Sequence, residues 1–370
     1  MKVALIHYWL VGMRGGEKVL EELCRLYPGA DIFTHVVRPE KISDALKSHR
    51  ITTSFISKLP FAAAQYQKYL PLMPLALEQF DLRGYDLVIS SESGPAKGVI
   101  TTEDTLHLCY CHTPMRYLWG MYHDYRESAG ALTRAVMTPA FHRLRQWDVA
   151  SAARVDHFIA NSSTVQRRIA KAYRRASDVI HPPVAVENFA PGAVQDYYLH
   201  VGQLVPYKRV DIAIEAFNRL GKKLVIAGDG SEAAKLKRIA GPTITFTGPQ
   251  TADQLRQLYA GCQALIFPGE EDFGIVPVEA MASGRPVIGY DKGGIRDSVR
   301  DGTSGILYPD QSVDSLVAAI ARYEGQAGGF SPAAIAAEAA RFSAARFRAE
   351  MTALIDRKMT DFRANGPFLG

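Results

Sequence analysis

The sequence is poor in cysteine and has no long apolar run. Cys24, Cys109, Cys111 and Cys262 are its only cysteines, irregularly spaced over 370 residues. That excludes a disulfide framework, and Cys109 and Cys111 have no second pair at zinc-ligand spacing. No stretch approaches eighteen uninterrupted apolar residues, so no membrane-spanning helix is expected. The opening apolar stretch, Val3-Ala4-Leu5-Ile6, is too short for the core of a secretion signal and reads as a first strand. Low-complexity tracts and short-period repeats are absent, which removes array architectures. A dinucleotide fingerprint is also missing. Gly12-Met13-Arg14-Gly15-Gly16 lacks the G-x-G-x-x-G spacing, which counts against an oxidoreductase. These absences leave a reduced, cytoplasmic protein without structural metal as the expectation.

What is present fits a globular chain of two domains. Hydrophobic residues make up 47% and charged residues 22%, enough for two ordinary cores in 370 residues. The formal net charge is +5 and is unevenly placed. Residues 1–183 hold 23 Lys and Arg against 17 Asp and Glu, leaving 20 against 21 for the rest. The first half therefore carries all the excess positive charge, which suits an anionic membrane surface as readily as a plain solvated face. The basic residues form no compact nucleic-acid motif, and no nucleic-acid partner is expected.

Both halves show strands alternating with helices. In the first, strands are expected at residues 2–7, 86–90, 106–110 and 157–160, with a helix beginning after Gly16 and a cap at Asn161-Ser162-Ser163. After His181-Pro182-Pro183 the pattern restarts, with strands at 198–202, 223–227, 243–247, 264–267 and 286–289 and a helix over 210–220. The fold class is α/β, with parallel sheets covered on both faces. The expected domains are 1–185 and 186–341, joined near 182–191, with a helix over 342–362. Ligands of such sheets bind beyond the carboxyl ends of the strands, here in a crevice between two facing domains.

The strongest local signal is Pro268-Gly269-Glu270-Glu271-Asp272-Phe273-Gly274-Ile275-Val276-Pro277-Val278-Glu279. Glu271 falls on a loop, and Pro277 suits the first turn of a helix, placing Glu279 near its start. The N–H groups of Gly274, Ile275 and Val276 would face an incoming anion. Carboxylates beside an anion site need hydroxyls to satisfy them, because an unpaired buried charge is costly. The pattern suits a ligand combining phosphates with sugar hydroxyls. The bland alternative, glutamates decorating a helix N-terminus, uses the same residues.

Together with Gly15-Gly16-Glu17, Cys111-His112-Thr113-Pro114-Met115-Arg116, Val201-Gly202-Gln203-Leu204-Val205-Pro206-Tyr207-Lys208-Arg209, Gly228-Asp229-Gly230 and Gly293-Gly294, this segment resembles the retaining glycosyltransferases of family 4. The resemblance covers nearly the whole chain. It is greatest to bacterial mannosyltransferase-like enzymes of surface polysaccharide assembly. It implies the GT-B fold, two Rossmann-like domains facing each other across a cleft, with the terminal helix packing back on the first. It implies a nucleotide-sugar donor, with GDP-mannose the favoured choice, and a lipid-linked or saccharide acceptor.

By the same resemblance Glu271 contacts hydroxyls of the transferred sugar, Glu279 the ribose, and Lys208 the diphosphate. His112 lies near the reacting sugar and acceptor, with Arg116 a weaker acceptor-side candidate. Gly15, Gly16, Gln203, Arg209, Gly248, Phe273, Gly274, Ile275 and Val276 complete the donor site. Gln203 departs from the family, which usually has arginine there; Arg209 or Arg14 could supply the missing charge. No Asp-x-Asp motif occurs, so neither metal nor another cofactor is expected. A phosphorylase or epimerase of the same fold, and a non-catalytic sugar-nucleotide-binding module, are the rival readings. Aromatic and basic stretches at 55–61, 66–70 and 134–147 suit peripheral contact with the inner face of a plasma membrane, and equally suit helices packed on the core.

Overall fold

The computed structural model describes residues 1–127 and 130–367. The chain forms two compact units. One comprises Met1–His181 with the terminal segment from Phe347, and the other is Pro182–Arg346. The terminal segment is most of a long helix, Ala344–Asn365. Its Phe347, Met351, Leu354, Ile355, Met359 and Phe362 recur every three or four positions and lie in the core of the first unit. That spacing makes one apolar stripe, which docks on the sheet.

The first unit is built on β1 (Val3–His7), β2 (Asp31–Thr34), β3 (Ile51–Thr53), β4 (Leu87–Glu92), β5 (Leu106–Cys111), β6 (His157–Ala160) and β7 (Ser177–Val179). Among the described residues they form one parallel sheet in the order β3-β2-β1-β4-β5-β6-β7. β1, β4 and β5 are buried along their whole length. This is the signature of central strands covered on both faces. The second unit repeats the scheme with β8 (Tyr198–Val201), β9 (Leu224–Ala227), β10 (Ile244–Gly248), β11 (Leu265–Phe267), β12 (Val287–Tyr290) and β13 (Gly305–Tyr308). Their order is β10-β9-β8-β11-β12-β13.

Both orders contain a reversal. From β1 the chain builds outward to β3, then returns to the other side of β1 with β4; β8 and β11 flank the same reversal in the second unit. Loops leaving adjacent strands there run in opposite directions and open a crevice at the carboxyl ends. His7 ends β1, and Gly202 and Pro268 follow β8 and β11. The topology therefore sets a binding position in each unit. The expected strands appear within a residue or two of their anticipated bounds. β2, β3, β7 and β13 were not anticipated.

Three buried charged groups of the first unit, Lys97, Glu92 and Asp148, are paired with one another. The Lys97 ammonium, fully buried, donates to Glu92 Oε1 at 3.0 Å and also meets Asp148. Asp148 further accepts from Trp119 Nε1 at 2.7 Å and from the Tyr173 hydroxyl. One cation between two carboxylates is tolerable there because the remaining lone pairs are also satisfied.

Several histidines are kept neutral by burial. Loss of solvation lowers His35, His107 and His200 to about 4 and His112 to about 3, from an ordinary 6.5. As pH falls below 6.5 the unfolded chain binds protons that the folded chain refuses, so stability declines until the folded values are reached. The deeply buried ones each contribute about 1 kcal/mol per pH unit in that window. The melting temperature followed by circular dichroism is expected to drop by several degrees from about pH 7.5 to about pH 5. An unchanged value would contradict the burial of these rings.

Candidate active site

In the second unit the site forms at the reversal between β8 and β11. After β8 a tight turn, Pro206–Lys208, presents Lys208, and Arg209 ends it in the left-handed region at φ 50°. After β11 the loop through Gly269 carries Glu271. The Lys208 ammonium pairs directly with the Glu271 carboxylate, their side chains 12% and 19% exposed. Phe267 and Tyr207 lie beneath the ammonium, 5.9 and 5.6 Å from ring centre to Nζ. Two opposite charges of low exposure thus sit side by side beyond the carboxyl ends of β8 and β11.

Glycines make that approach possible. A β-carbon on Gly269 would lie 2.9 Å from Lys208 Cα. Gly293, at φ +82°, forms a parallel bridge with Glu271, and the Gly294 N–H donates to the Glu271 carbonyl at 2.8 Å. A β-carbon on Gly293 would come within 2.4 Å of the Glu271 carbonyl oxygen. The Glu271 loop is thereby clamped between the Lys208 turn and the loop after β12.

Gly274 precedes the helix Ile275–Ala282 at φ +84°. Glu279 is the fifth residue of this helix rather than lying at its start, and its Oε2 accepts from the Tyr259 hydroxyl at 2.9 Å. Ile275 and Val276 stand half-buried in the first turn. The Phe273 side chain is 3% exposed and packs edge-on against Phe342 at 5.4 Å, so its ring serves the core. Gln203 is exposed. Arg209 turns its guanidinium onto Asp211, with Nη2 3.0 Å from Oδ2. The Gly248 carbonyl accepts from the Gly228 N–H at 2.9 Å, tying the end of β10 to the loop after β9.

His112 belongs to the first unit, at the carboxyl end of β5. Its N–H donates to the Glu92 carbonyl at 2.8 Å, and its Nε2 lies 2.9 Å from Ser91 Oγ. The same hydroxyl is 3.1 Å from His7 Nδ1, and His7 Nε2 faces Glu17 Oε1 at 3.9 Å. Glu17 Oε2 accepts from the Arg14 N–H at 3.0 Å at the start of the helix Gly15–Leu26. A β-carbon on Gly16 would stand 2.4 Å from the Tyr8 hydroxyl and 3.5 Å from His112 Nε2, so only glycine lets the helix start close over these rings. Arg14 is exposed and Arg116 partly buried in the loop after His112. Among the described residues, no three His, Cys, Asp or Glu side chains come together in a way that could hold a metal ion.

His7, Ser91 and Tyr259 were not singled out from the sequence. His7 and Ser91 are partners across β1 and β4, 84 positions apart in the chain. Only the sheet order brings them together.

The clamp on the Glu271 loop can be tested by filling it. A β-carbon on Gly294 would lie 2.3 Å from both the Asp272 carbonyl oxygen and Phe273 Cα, whereas one on Gly29 meets nothing within 4 Å. Gly294→Ala is expected to cost about 1–3 kcal/mol in urea unfolding, and Gly29→Ala under about 0.5 kcal/mol. Equal effects would refute the clamp.

Comparison with known proteins bears on the family and the fold. Residues 13–188 match the family model "Glycosyltransferase Family 4" and residues 186–339 match "Glycosyl transferases group 1". The chain is 30% identical over 239 residues to D-inositol 3-phosphate glycosyltransferase of Mycolicibacterium smegmatis, covering 57% of this chain and 55% of that one. It spans about half the length of this and the other inositol-phosphate glycosyltransferases it matches. It is 28% identical over 303 residues to a GDP-mannose-dependent alpha-mannosyltransferase of Mycobacterium tuberculosis, covering 76% and 72%. Among solved structures, Anabaena HepE in complex with UDP superposes with a TM-score of 0.68 at 18% identity, covering 96% of this chain and all of the other. Sucrose-phosphate synthase of Thermosynechococcus elongatus gives 0.71 at 17% identity, covering 97% and all of the other. Two parallel α/β units, both family matches and these structural likenesses agree that the chain belongs to glycosyltransferase family 4 and has the GT-B fold.

Proposed function

We propose that the protein is a retaining glycosyltransferase that moves a sugar from a nucleoside diphosphate to a lipid-linked or saccharide acceptor in polysaccharide or glycolipid assembly. The observation that carries this reading is the Lys208–Glu271 pair at the reversal between β8 and β11, with Glu279 on the adjoining helix. A sugar diphosphate offers each charge a better partner. The diphosphate takes Lys208 and the N–H groups at Gly274, Ile275 and Val276, while sugar hydroxyls donate to Glu271 and the ribose to Glu279.

In this scheme the bond between the anomeric carbon and the diphosphate oxygen breaks as the acceptor oxygen bonds to that carbon on the same face. The acceptor proton passes to the departing diphosphate oxygen, so no carboxylate nucleophile or separate base is needed. Lys208 stabilises the charge that develops on the leaving group, without a metal or other cofactor. The residues then act by positioning. Mannose from GDP-mannose is the donor we favour, supported by the resemblance to the mannosyltransferase relative.

Peripheral contact with an anionic membrane, at the inner face of the plasma membrane, belongs to the same proposal. No helix among the described residues is long and apolar enough to cross a membrane. Phe61 is 77% exposed, with Leu72 and Leu75 exposed nearby in sequence, and Lys58 and Lys68 are exposed in the same stretch. Trp147 is occupied internally, its ring against Gly98 and its Nε1 3.3 Å from Glu78 Oε1.

A thermal-shift panel with GDP-mannose, UDP-glucose, UDP-GlcNAc, GDP and UDP tests the donor assignment. A ligand bound only by the folded state raises the melting temperature by mass action. Guanine nucleotides are expected to stabilise the wild type and to do so less in Glu279→Ala. Stabilisation by uridine nucleotides alone would replace the donor, and no shift with any of them would count against transfer from a nucleotide sugar.

A further inference from the structure

Glu17, His7, Ser91 and His112 form a single file in the first unit. His7 and Ser91 are fully buried and Glu17 is 2% exposed. His7 Nε2 has no hydrogen-bond partner among the described residues, and Glu17 Oε1 stands 3.9 Å from it. The arrangement leaves little freedom in where the protons sit. Burial alone would raise the Glu17 carboxyl, but His7 and the Arg14 N–H hold it below its ordinary value, so it is ionised and can only accept.

From these contacts we infer that Glu17, His7 and Ser91 are positioning residues that fix the tautomer of His112 and leave its Nδ1 bare. The chain of donors runs one way. The carboxylate faces His7 Nε2 and favours the proton there, leaving His7 Nδ1 as an acceptor. Ser91 then spends its one hydroxyl proton on His7 Nδ1 at 3.1 Å, and its oxygen is left to accept. His112 donates from Nε2 to that oxygen at 2.9 Å. A neutral imidazole with its proton on Nε2 presents a lone pair on Nδ1. His112 is thus set to accept a hydrogen bond from a hydroxyl, the group that both a sugar and an acceptor alcohol offer. The assignment of those hydroxyls rests on the proposed function; the tautomer does not.

The polarity of the file can be reversed by replacing one oxygen with an NH2 group. Glu17 Oε2 is held by the Arg14 N–H, so in Glu17→Gln the amide oxygen must stay there and the NH2 replaces Oε1. That NH2 faces His7 Nε2 with hydrogens where the carboxylate offered a lone pair, which disfavours a proton on Nε2 and favours it on Nδ1. Ser91 then accepts from His7 and donates to His112 Nε2, and the His112 proton shifts to Nδ1.

The test is long-range proton–nitrogen NMR of the histidine-labelled full chain, with His112 assigned by its loss in His112→Gln. The expected result is an Nε2–H tautomer in the wild type and an Nδ1–H tautomer in Glu17→Gln, with the melting temperature little changed. An Nδ1–H tautomer in the wild type, or the wild-type tautomer persisting in Glu17→Gln, would overturn the inference. Should Glu17→Gln not fold, Ser91→Ala serves: unchanged His112 nitrogen shifts in that variant would overturn it equally, and altered ones support it. With a working donor, Glu17→Gln should lower kcat roughly tenfold or more while donor affinity stays level, as a wrong tautomer does in other histidine sites. Failure of every donor would remove the proposed function while leaving the tautomer measurement intact.

Discussion

Lys208 and Glu271 depend on each other. Each is largely withdrawn from water, and a charge so placed needs a counter-charge or a ligand. Much of the architecture around them serves their meeting. The sheet order brings the loop after β8 beside the loop after β11. Gly269 lets the two backbones touch, and Gly293 and Gly294 hold the second loop from its other side. The pair is therefore neutral in the ligand-free protein. In the proposed reading it separates when a sugar diphosphate supplies each partner with a replacement, so binding costs little in unpaired charge.

The first unit solves a different problem at the corresponding reversal between β1 and β4. There the groups are two imidazole rings and a hydroxyl, arranged around one carboxylate at a helix start. Hydrogen-bond direction matters in such a file, because the hydroxyl at its centre has one proton to give. Gly16 keeps the helix start close to both rings, and the same backbone segment anchors Glu17. The Gly15-Gly16-Glu17 motif thus combines close approach with the placement of a carboxylate.

How much of this could be read from the sequence depends on whether the determinant is local. β1, β4, β5 and β8 are buried along their length and announce themselves as apolar runs. β3 and β7 are three residues long and only partly buried, so Ile51-Thr52-Thr53 and Ser177-Asp178-Val179 carry no such run. Lys208, Glu271, Glu279 and the glycines were legible because short motifs on single loops and one helix carry them. Phe273 stands in the same motif, yet its ring faces Phe342, a contact 69 positions away that no local pattern discloses. The Ser91 link was illegible for the same reason: its partners come from β1 and from the loop after β5, and only the parallel register aligns them.

The most direct test is calorimetric titration of a nucleoside diphosphate and of the matching nucleotide sugar into wild type, Lys208→Ala and Glu271→Gln. If the two charges divide the donor as described, Lys208→Ala weakens both ligands by roughly tenfold or more, about 1.4 kcal/mol. Glu271→Gln should bind the nucleoside diphosphate at least as tightly as wild type, because no ion pair has to open, and should lose only the affinity that the sugar adds. Wild-type binding of both ligands by both variants, or equal weakening of both ligands in Glu271→Gln, would contradict the account.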